Sequence, residues 1–250
     1  MMNLYVTATS RKGPVRSNNE DMVLVGSSFI RNDSHKVRIE LSGTKRTMIA
    51  VADGMGGHNR GEVASSESLH NLQFFFNDIP SGLCADEFKV MMDEWLESIN
   101  NIIDSKGRVD ERYKGMGTTL VGLAFYEGQT FILNCGDSRL YRMRHSQLCQ
   151  LTTDHSLDNM LGNEGRRSSI ITNCIGGGTK KSFLDLTPVT DDIKPHDIYL
   201  LCSDGLTDML KDKDIEAFLK VGADSNALCE AAIEAGGFDN VSACVIDVEP

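Results

Sequence analysis

Apolar residues in this chain gather into short β-branched runs, and three of these end on a carboxylate beside glycine. Thr47-Met48-Ile49-Ala50-Val51-Ala52 reads as a buried strand that stops at Asp53-Gly54-Met55-Gly56-Gly57-His58, where the glycines cannot continue it. Asp197-Ile198-Tyr199-Leu200-Leu201-Cys202 runs in the same way into Ser203-Asp204-Gly205, and Thr130-Phe131-Ile132-Leu133-Asn134-Cys135 into Gly136-Asp137. Further strands are predicted at Leu4 to Ser10, Met22 to Val25, 36 to 41, 117 to 126, 139 to 144, 147 to 151, Phe183 to Val189 and Val241 to Val248. A helical period replaces the strand pattern from Glu62 to Phe76, where Leu69, Leu72 and Phe76 share a face. It returns where Phe88, Met91, Met92, Trp95, Ile99, Ile102 and Ile103 form one stripe that ends before Gly107. Shorter helices are expected at Leu206 to Lys211, Asp214 to Lys220 and Ser225 to Ala235. The Gly- and Asn-rich stretch at about 155–178 reads as a loop or flap. Most strands lack an intervening helix, so antiparallel sheets packed together, with helices in two batches outside, are expected.

Composition changes this picture little. The 250 residues, 40% of them hydrophobic, suit one domain spanning 1–250, and five scattered prolines leave no linker. No apolar run is long enough to cross a bilayer, and Met1-Met2-Asn3-Leu4-Tyr5 carries no basic region before an apolar block. A cytoplasmic protein without a membrane partner is therefore expected, and nothing in the sequence asks for an obligate oligomer, so a monomer is expected too. The net charge of −11 argues against a nucleic-acid partner. Seven cysteines without a Cys-x-x-Cys indicate neither a disulfide framework nor a zinc knuckle, and Cys135, Cys202 and Cys244 read as core residues.

The strand ends carry the candidate chemistry. A single Asp-Gly is most often a turn. Three carboxylates delivered at strand ends would repel one another in a partly buried place, and a divalent cation relieves that repulsion. Glycine near Asp53 would let backbone atoms approach whatever the acid holds. Val15-Arg16-Ser17-Asn18-Asn19-Glu20-Asp21 reads either as a solvated loop or as an anion-binding fork with cation ligands. Asn59 occupies the third glycine position of a dinucleotide fingerprint, Gly176-Gly177-Gly178-Thr179-Lys180-Lys181-Ser182 lacks phosphate-loop spacing, and no Gly-x-Ser-x-Gly elbow occurs.

Taken in order, seven short motifs resemble the set of the PP2C-type (PPM) metal-dependent protein phosphatases. They are Arg16-Ser17-Asn18-Asn19-Glu20-Asp21, Asp53-Gly54-Met55-Gly56-Gly57-His58, Gly117-Thr118-Thr119, Gly136-Asp137-Ser138-Arg139, Thr153-Asp154-His155, Ser203-Asp204-Gly205-Leu206 and Asp239-Asn240. The resemblance runs from about residue 11 to 246 and is nearer the bacterial branch. It implies an α+β fold, a four-layer αββα sandwich of two antiparallel sheets flanked by pairs of helices. It also implies two Mn²⁺ or Mg²⁺ ions at one end, and a third ion associated with Asp137.

In that pattern Asp53 bridges two metals, the Gly54 carbonyl lies on one of them, and Asp204 and Asp239 bind the other. Glu20 matches a position that binds one metal directly or through water, Asp21 orients metal-bound waters, and Arg16 is the phosphate-binding arginine. The implied reaction is hydrolysis of phosphoserine and phosphothreonine in proteins by a metal-bridging hydroxide, opposing a Ser/Thr kinase. In the eukaryotic form a His follows Asp-Gly directly, whereas Met55 stands here. His58 is then the candidate general acid, or a His hydrogen-bonded in the glycine turn. A metal-dependent phosphoesterase acting on a small molecule and a catalytically silent regulatory module are the alternative readings.

Overall fold

In the computed structural model, which describes residues 2–56, 60–162, 170–179 and 181–250, strands dominate the first quarter of the chain. They are β1 (Met2–Arg11), β2 (Met22–Val25), β3 (Ser28–Ile30), β4 (Ser34–Leu41), β5 (Arg46–Ala52) and the short β6 (Gly54–Met55). Two long helices follow, α1 (Gly61–Asp78) and α2 (Ala85–Val109), then β7 (Gly117–Thr118), β8 (Leu120–Tyr126), β9 (Gln129–Cys135), β10 (Arg139–Arg144) and β11 (Gln147–Gln150). The remainder comprises α3 (Leu157–Met160), β12 (Ile175–Gly176), β13 (Asp185–Pro188), β14 (Ile198–Cys202), α4 (Asp204–Thr207), α5 (Asp212–Lys220), α6 (Ser225–Glu234) and β15 (Val241–Glu249).

Two six-stranded antiparallel sheets pack face to face, ordered β11-β10-β14-β15-β1-β4 and β13-β9-β8-β5-β2-β3. Alternation along each strand decides which side chains meet between them. Leu4, Val6 and Ala8 of β1, Ile49 and Val51 of β5, and Cys244, Ile246 and Val248 of β15 fill the space between the sheets. The opposite face of the second sheet, with Met48, Ala50 and Phe131, is covered by Leu69, Leu72, Phe88 and Trp95 of α1 and α2. The opposite face of the first sheet, with Leu200, Ala243 and Val245, is covered by Ile215, Leu219 and Leu228 of α5 and α6. The result is the expected four-layer αββα sandwich. No described helix is long and apolar enough to cross a membrane.

Three local expectations need adjustment. Helix α2 does not stop before Gly107 but continues to Val109. A Cβ at Gly107 would lie 3.0 Å from the Tyr113 carbonyl oxygen, so this glycine admits a crossing chain rather than ending a helix. The helix expected from Leu206 starts instead at Asp204, which brings that carboxylate into its first turn. The described part of the 155–178 stretch also carries structure of its own. Residues 175–176 pair with β7, and β7 pairs with β6, in a three-stranded sheet that ties this end of the stretch to the segment after Asp53.

Phe88 stacks on Phe131 at 4.4 Å and tilts against Tyr126 at 5.0 Å. Fully buried, it joins α2 to two neighbouring strands. Phe88→Ala is expected to lower unfolding free energy by about 3–5 kcal/mol, read as a fall in the urea midpoint with an unchanged slope.

Candidate metal centre

Strand register brings the candidate acids to one end of the sandwich. Met22 pairs with Ala52, so Asp21 and Asp53 leave adjacent strands side by side. Leu120 pairs with Cys135 and Val51 with Val121, which places Asp137 at the same end. Arg139 pairs with Cys202, which brings Asp204 beside the Asp137 turn. Close backbone approach completes the cluster. A Cβ at Gly205 would fall 1.9 Å from the Asn240 carbonyl oxygen, so only glycine lets α4 sit against the residue that follows Asp239.

The acids then load one another electrostatically. Burial pushes Asp21 up to about 7, and Asp204 and Asp239 push the same way, although Ser203 Oγ donates to its Oδ2 at 2.8 Å. Burial, with Asp204 and Asp154 beside it, pushes Asp137 up to about 7. Asp53 lies well above the usual carboxylate range through burial, the charges of Asp21 and Asp204, and a side-chain hydrogen bond shared with Asp204. Glu20 is raised more gently, by burial and the nearby Glu62, against the Gly61 N–H and Arg16. Asp204 is the common neighbour of the three most perturbed acids.

Backbone hydrogen bonds fix where each acid sits. The Asp53 carbonyl accepts from Thr119 N and Thr118 Oγ1, both at 2.9 Å, and Asp53 N donates to Thr119 Oγ1 at 3.1 Å. Glu20 N donates to Asn240 Oδ1 at 2.8 Å, and Asn240 Nδ2 donates to the Lys12 and Asn18 carbonyls. Gly54, Gly61 and Glu20 are pressed together: a Cβ at Gly54 would lie 2.2 Å from the Gly61 oxygen and 2.6 Å from the Glu20 oxygen. The N-terminus of α1 faces Glu20, whose Oε1 accepts from Gly61 N at 3.2 Å.

Asp21, Asp53, Asp137 and Asp204 are thus brought together, with Glu20, Gly54 and Asp239 around them. Arg16 stands at the rim, half-exposed, and donates to Asp239 Oδ2 at 2.5 Å. His58 lies outside the described residues. As the side chains stand, no three of the described His, Cys, Asp or Glu residues close into a metal-binding group. Asp239 is turned to Arg16, Glu20 to the Gly61 N–H, and Asp21 Oδ2 to Ser203. The donor set nevertheless suits hard divalent ions, being all oxygen. Two of its buried atoms, Asp21 Oδ1 and Asp137 Oδ1, have no hydrogen-bond partner among the described residues.

Sequence reasoning missed Arg31. Its Nε donates to the Asp21 carbonyl at 2.8 Å and its Nη2 to the Glu62 carbonyl and Ser65 Oγ, so it clamps the Asp21 loop to α1. No local pattern marks an arginine placed after a strand for that role. It also missed Ser65, whose hydroxyl holds the Glu20 carbonyl at 2.5 Å; a small polar residue within an otherwise helical face was the available sign.

Comparison with known proteins points to one family. A family model described as Protein phosphatase 2C matches residues 27–235. The Serine/threonine protein phosphatase PstP of Mycobacterium tuberculosis is 32% identical over 258 residues, which cover 98% of this chain and 45% of PstP, so the chain spans under half of that relative. The Protein phosphatase PhpP of Streptococcus pneumoniae is 32% identical over 250 residues, 94% of each chain. The crystal structure of the catalytic domain of PstP in complex with two manganese ions superposes with a TM-score of 0.77 at 31% identity, covering all of both chains. By its motifs, its layered fold and these matches, the chain belongs to the protein phosphatase 2C family.

Proposed function

We propose that this chain is a divalent-metal-dependent protein serine/threonine phosphatase that acts on phosphoproteins and opposes a Ser/Thr kinase of its own cell. One observation carries the reading. Four strand-end carboxylates converge beneath a half-exposed arginine, which supplies oxygen ligands for cations and a forked donor for phosphate at one place. The names of the relatives point to the same substrate class. In this reading 1–250 works as one catalytic unit, cytoplasmic and monomeric, and about 155–178 is its flap.

Asp53, Asp204 and Asp239, with Glu20 and the Gly54 carbonyl, would hold two Mn²⁺ or Mg²⁺ ions, and Asp137 a third. Such ions supply Lewis acidity and make a bound water acidic enough to lose its proton near neutral pH. Asp21, held by Ser203 Oγ at 2.8 Å, orients water at the floor of the site. Arg16 turns its fork from Asp239 to two phosphate oxygens, which fixes phosphorus for attack and offsets charge growing on the phosphoryl group. His58 is the candidate proton donor to the leaving oxygen.

Cation binding has a readout apart from catalysis. Mn²⁺ at about 100 times its dissociation constant is expected to raise the melting temperature by about 5–10 °C. Asp53→Asn is expected to abolish that rise and, without added metal at pH 7.5, to be more stable than wild type, read as a higher urea midpoint. The sign follows from an acid raised above its unfolded value, whose ionisation weakens the fold as pH climbs. An undiminished Mn²⁺ response in Asp53→Asn would remove this acid from the centre.

Catalysis is tested with a phosphothreonine peptide, a panel of phosphorylated metabolites and Mn²⁺. Peptide hydrolysis is expected to stop on chelation and to fall about 10²-fold in kcat/KM in Arg16→Ala. Higher kcat/KM on a metabolite than on any peptide would reassign the substrate to a small molecule, and no turnover of either would point to a regulatory module.

A further inference from the structure

A cleft of about 280 Å³ opens between the two sheets at the β13 edge, and none of the clustered acids lines it. Asn134, which is 2% exposed, forms part of its wall. The amide has a defined orientation, because Nδ2 donates to the Thr153 carbonyl at 2.8 Å. Its Oδ1 has no hydrogen-bond partner among the described residues. Asp185 pairs with Asn134 in register and exposes half of its side chain to the same cleft. His155 Nδ1 faces two donors, Gly136 N at 3.0 Å and Asn173 Nδ2 at 2.9 Å. The ring proton therefore sits on Nε2 and is donated to Asp185 Oδ2 at 2.9 Å. Lys89 also borders the cleft but turns its ammonium to Asp93, 3.2 Å away.

The wall thus offers the half-exposed Asp185 carboxylate beside a covered, unpartnered amide oxygen, so the complementary group is a cation carrying several N–H donors. A guanidinium meets both oxygens with its fixed fork better than a point-charge ammonium. Asn134 lies three residues before Asp137, and because the chain turns at Gly136 the two are at most about 10 Å apart at ~3.3 Å per residue. Phe183, 49% exposed, tilts against the His155 ring at 4.7 Å, and His155 N donates to the Gly136 carbonyl at 2.9 Å. A continuous surface therefore joins the cleft to the Asp137 turn.

We propose that this cleft receives an arginine side chain of the phosphoprotein substrate, three or four positions from the phosphorylated residue. The inference rests on the phosphatase reading above and adds a sequence preference to it. Extended peptide advances about 3.3 Å per residue, so that spacing is enough to cover the reach of at most about 10 Å from the carboxylate cluster to Asn134. Asp185 and Asn134 are then specificity residues rather than catalytic ones.

The test measures kcat/KM of the whole chain with Mn²⁺ on phosphothreonine peptides carrying one Arg at each of positions two to five on either side. All-Ala peptides and p-nitrophenyl phosphate serve as references. Wild type is expected to favour Arg at three or four positions on one side by about 10-fold, expressed in KM. Asp185→Asn keeps an acceptor for His155 but removes the charge. Thr187→Lys, on the exposed edge strand, places an ammonium in the cleft. Each is expected to bring the Arg-to-Ala ratio within twofold. Because every variant is scored by the ratio of its own rates, a general loss of activity does not enter the result. Equal rates at all positions in wild type, or a preference that survives both variants, would overturn the proposal. Hydrolysis of p-nitrophenyl phosphate with no turnover of any peptide would instead remove the protein-phosphatase reading, and this inference with it.

Discussion

Mutual repulsion among carboxylates held at one end of the sandwich is the condition that the rest of this structure has to satisfy. Asp204 lies within the field of Asp21, Asp53 and Asp137, and each of those three is pushed above the usual carboxylate range with burial as the main cause. Like charges this close destabilise any fold that gathers them. The gathering is enforced by register. Met22 against Ala52, Leu120 against Cys135 and Arg139 against Cys202 leave no freedom to spread the acids apart. A slip of one residue in β5 or β14 would send Ile49 or Leu201 out of the inter-sheet core, and the apolar pattern resists that slip. The core thus holds the acids where they repel.

The same logic explains what could be read from the chain before any coordinates. An apolar run, a glycine and an acid within nine residues are a local signal, so the strand ends at Asp53, Asp137 and Asp204 were legible, as were the stripes of α1 and α2 apart from Ile102, which is exposed. Local reasoning failed where one residue serves two ends. Gly107 looked like a terminator because nothing nearby in sequence reveals the Tyr113 backbone crossing over it. Asp204 looked like a loop residue because the start of α4 depends on Gly205 fitting under the Asn240 carbonyl. Arg31 carried no local mark, since its value lies in reaching the Asp21 carbonyl and α1 at once. The small sheet tying residues 175–176 to Gly54 involves two-residue strands, too short for any periodicity to register.

Polar side chains distant in sequence do much of the positioning that the sheets leave undone. Asn240 is hydrogen-bonded to Glu20 N and to the Lys12 and Asn18 carbonyls, so the loop carrying Arg16 is anchored at both sides of that arginine. Ser203 joins Asp21 to β15 through its bond from Ser242 N at 3.0 Å. Thr118 and Thr119 hold the Asp53 peptide from the neighbouring strand. Each of these groups is neutral, which allows it to orient an acid without cancelling the negative field that a cation would meet. Lysine or a second arginine in the same places would satisfy the carboxylates and remove their need for a metal ion.

Arg31 and Arg16 are the charged exceptions: Arg31 gives its donors to the Asp21 and Glu62 carbonyls and to Ser65, whereas Arg16 stands at the rim against a carboxylate. Its pair with Asp239 is half-exposed, where such contacts contribute about 0–1 kcal/mol, so the fork leaves that carboxylate easily. Asp239 is also one of the acids expected to hold a cation. In the proposed reaction Asp239 would turn to the cation site as the Arg16 guanidinium turns to phosphate, so each change would favour the other. An arginine buried deeper would be locked to its acid by the desolvation of both charges. One placed farther out would lose its hold on phosphate to solvent and salt. In the proposed reaction the intermediate depth would let one acid, Asp239, be shared in turn between the rim arginine and the centre below it.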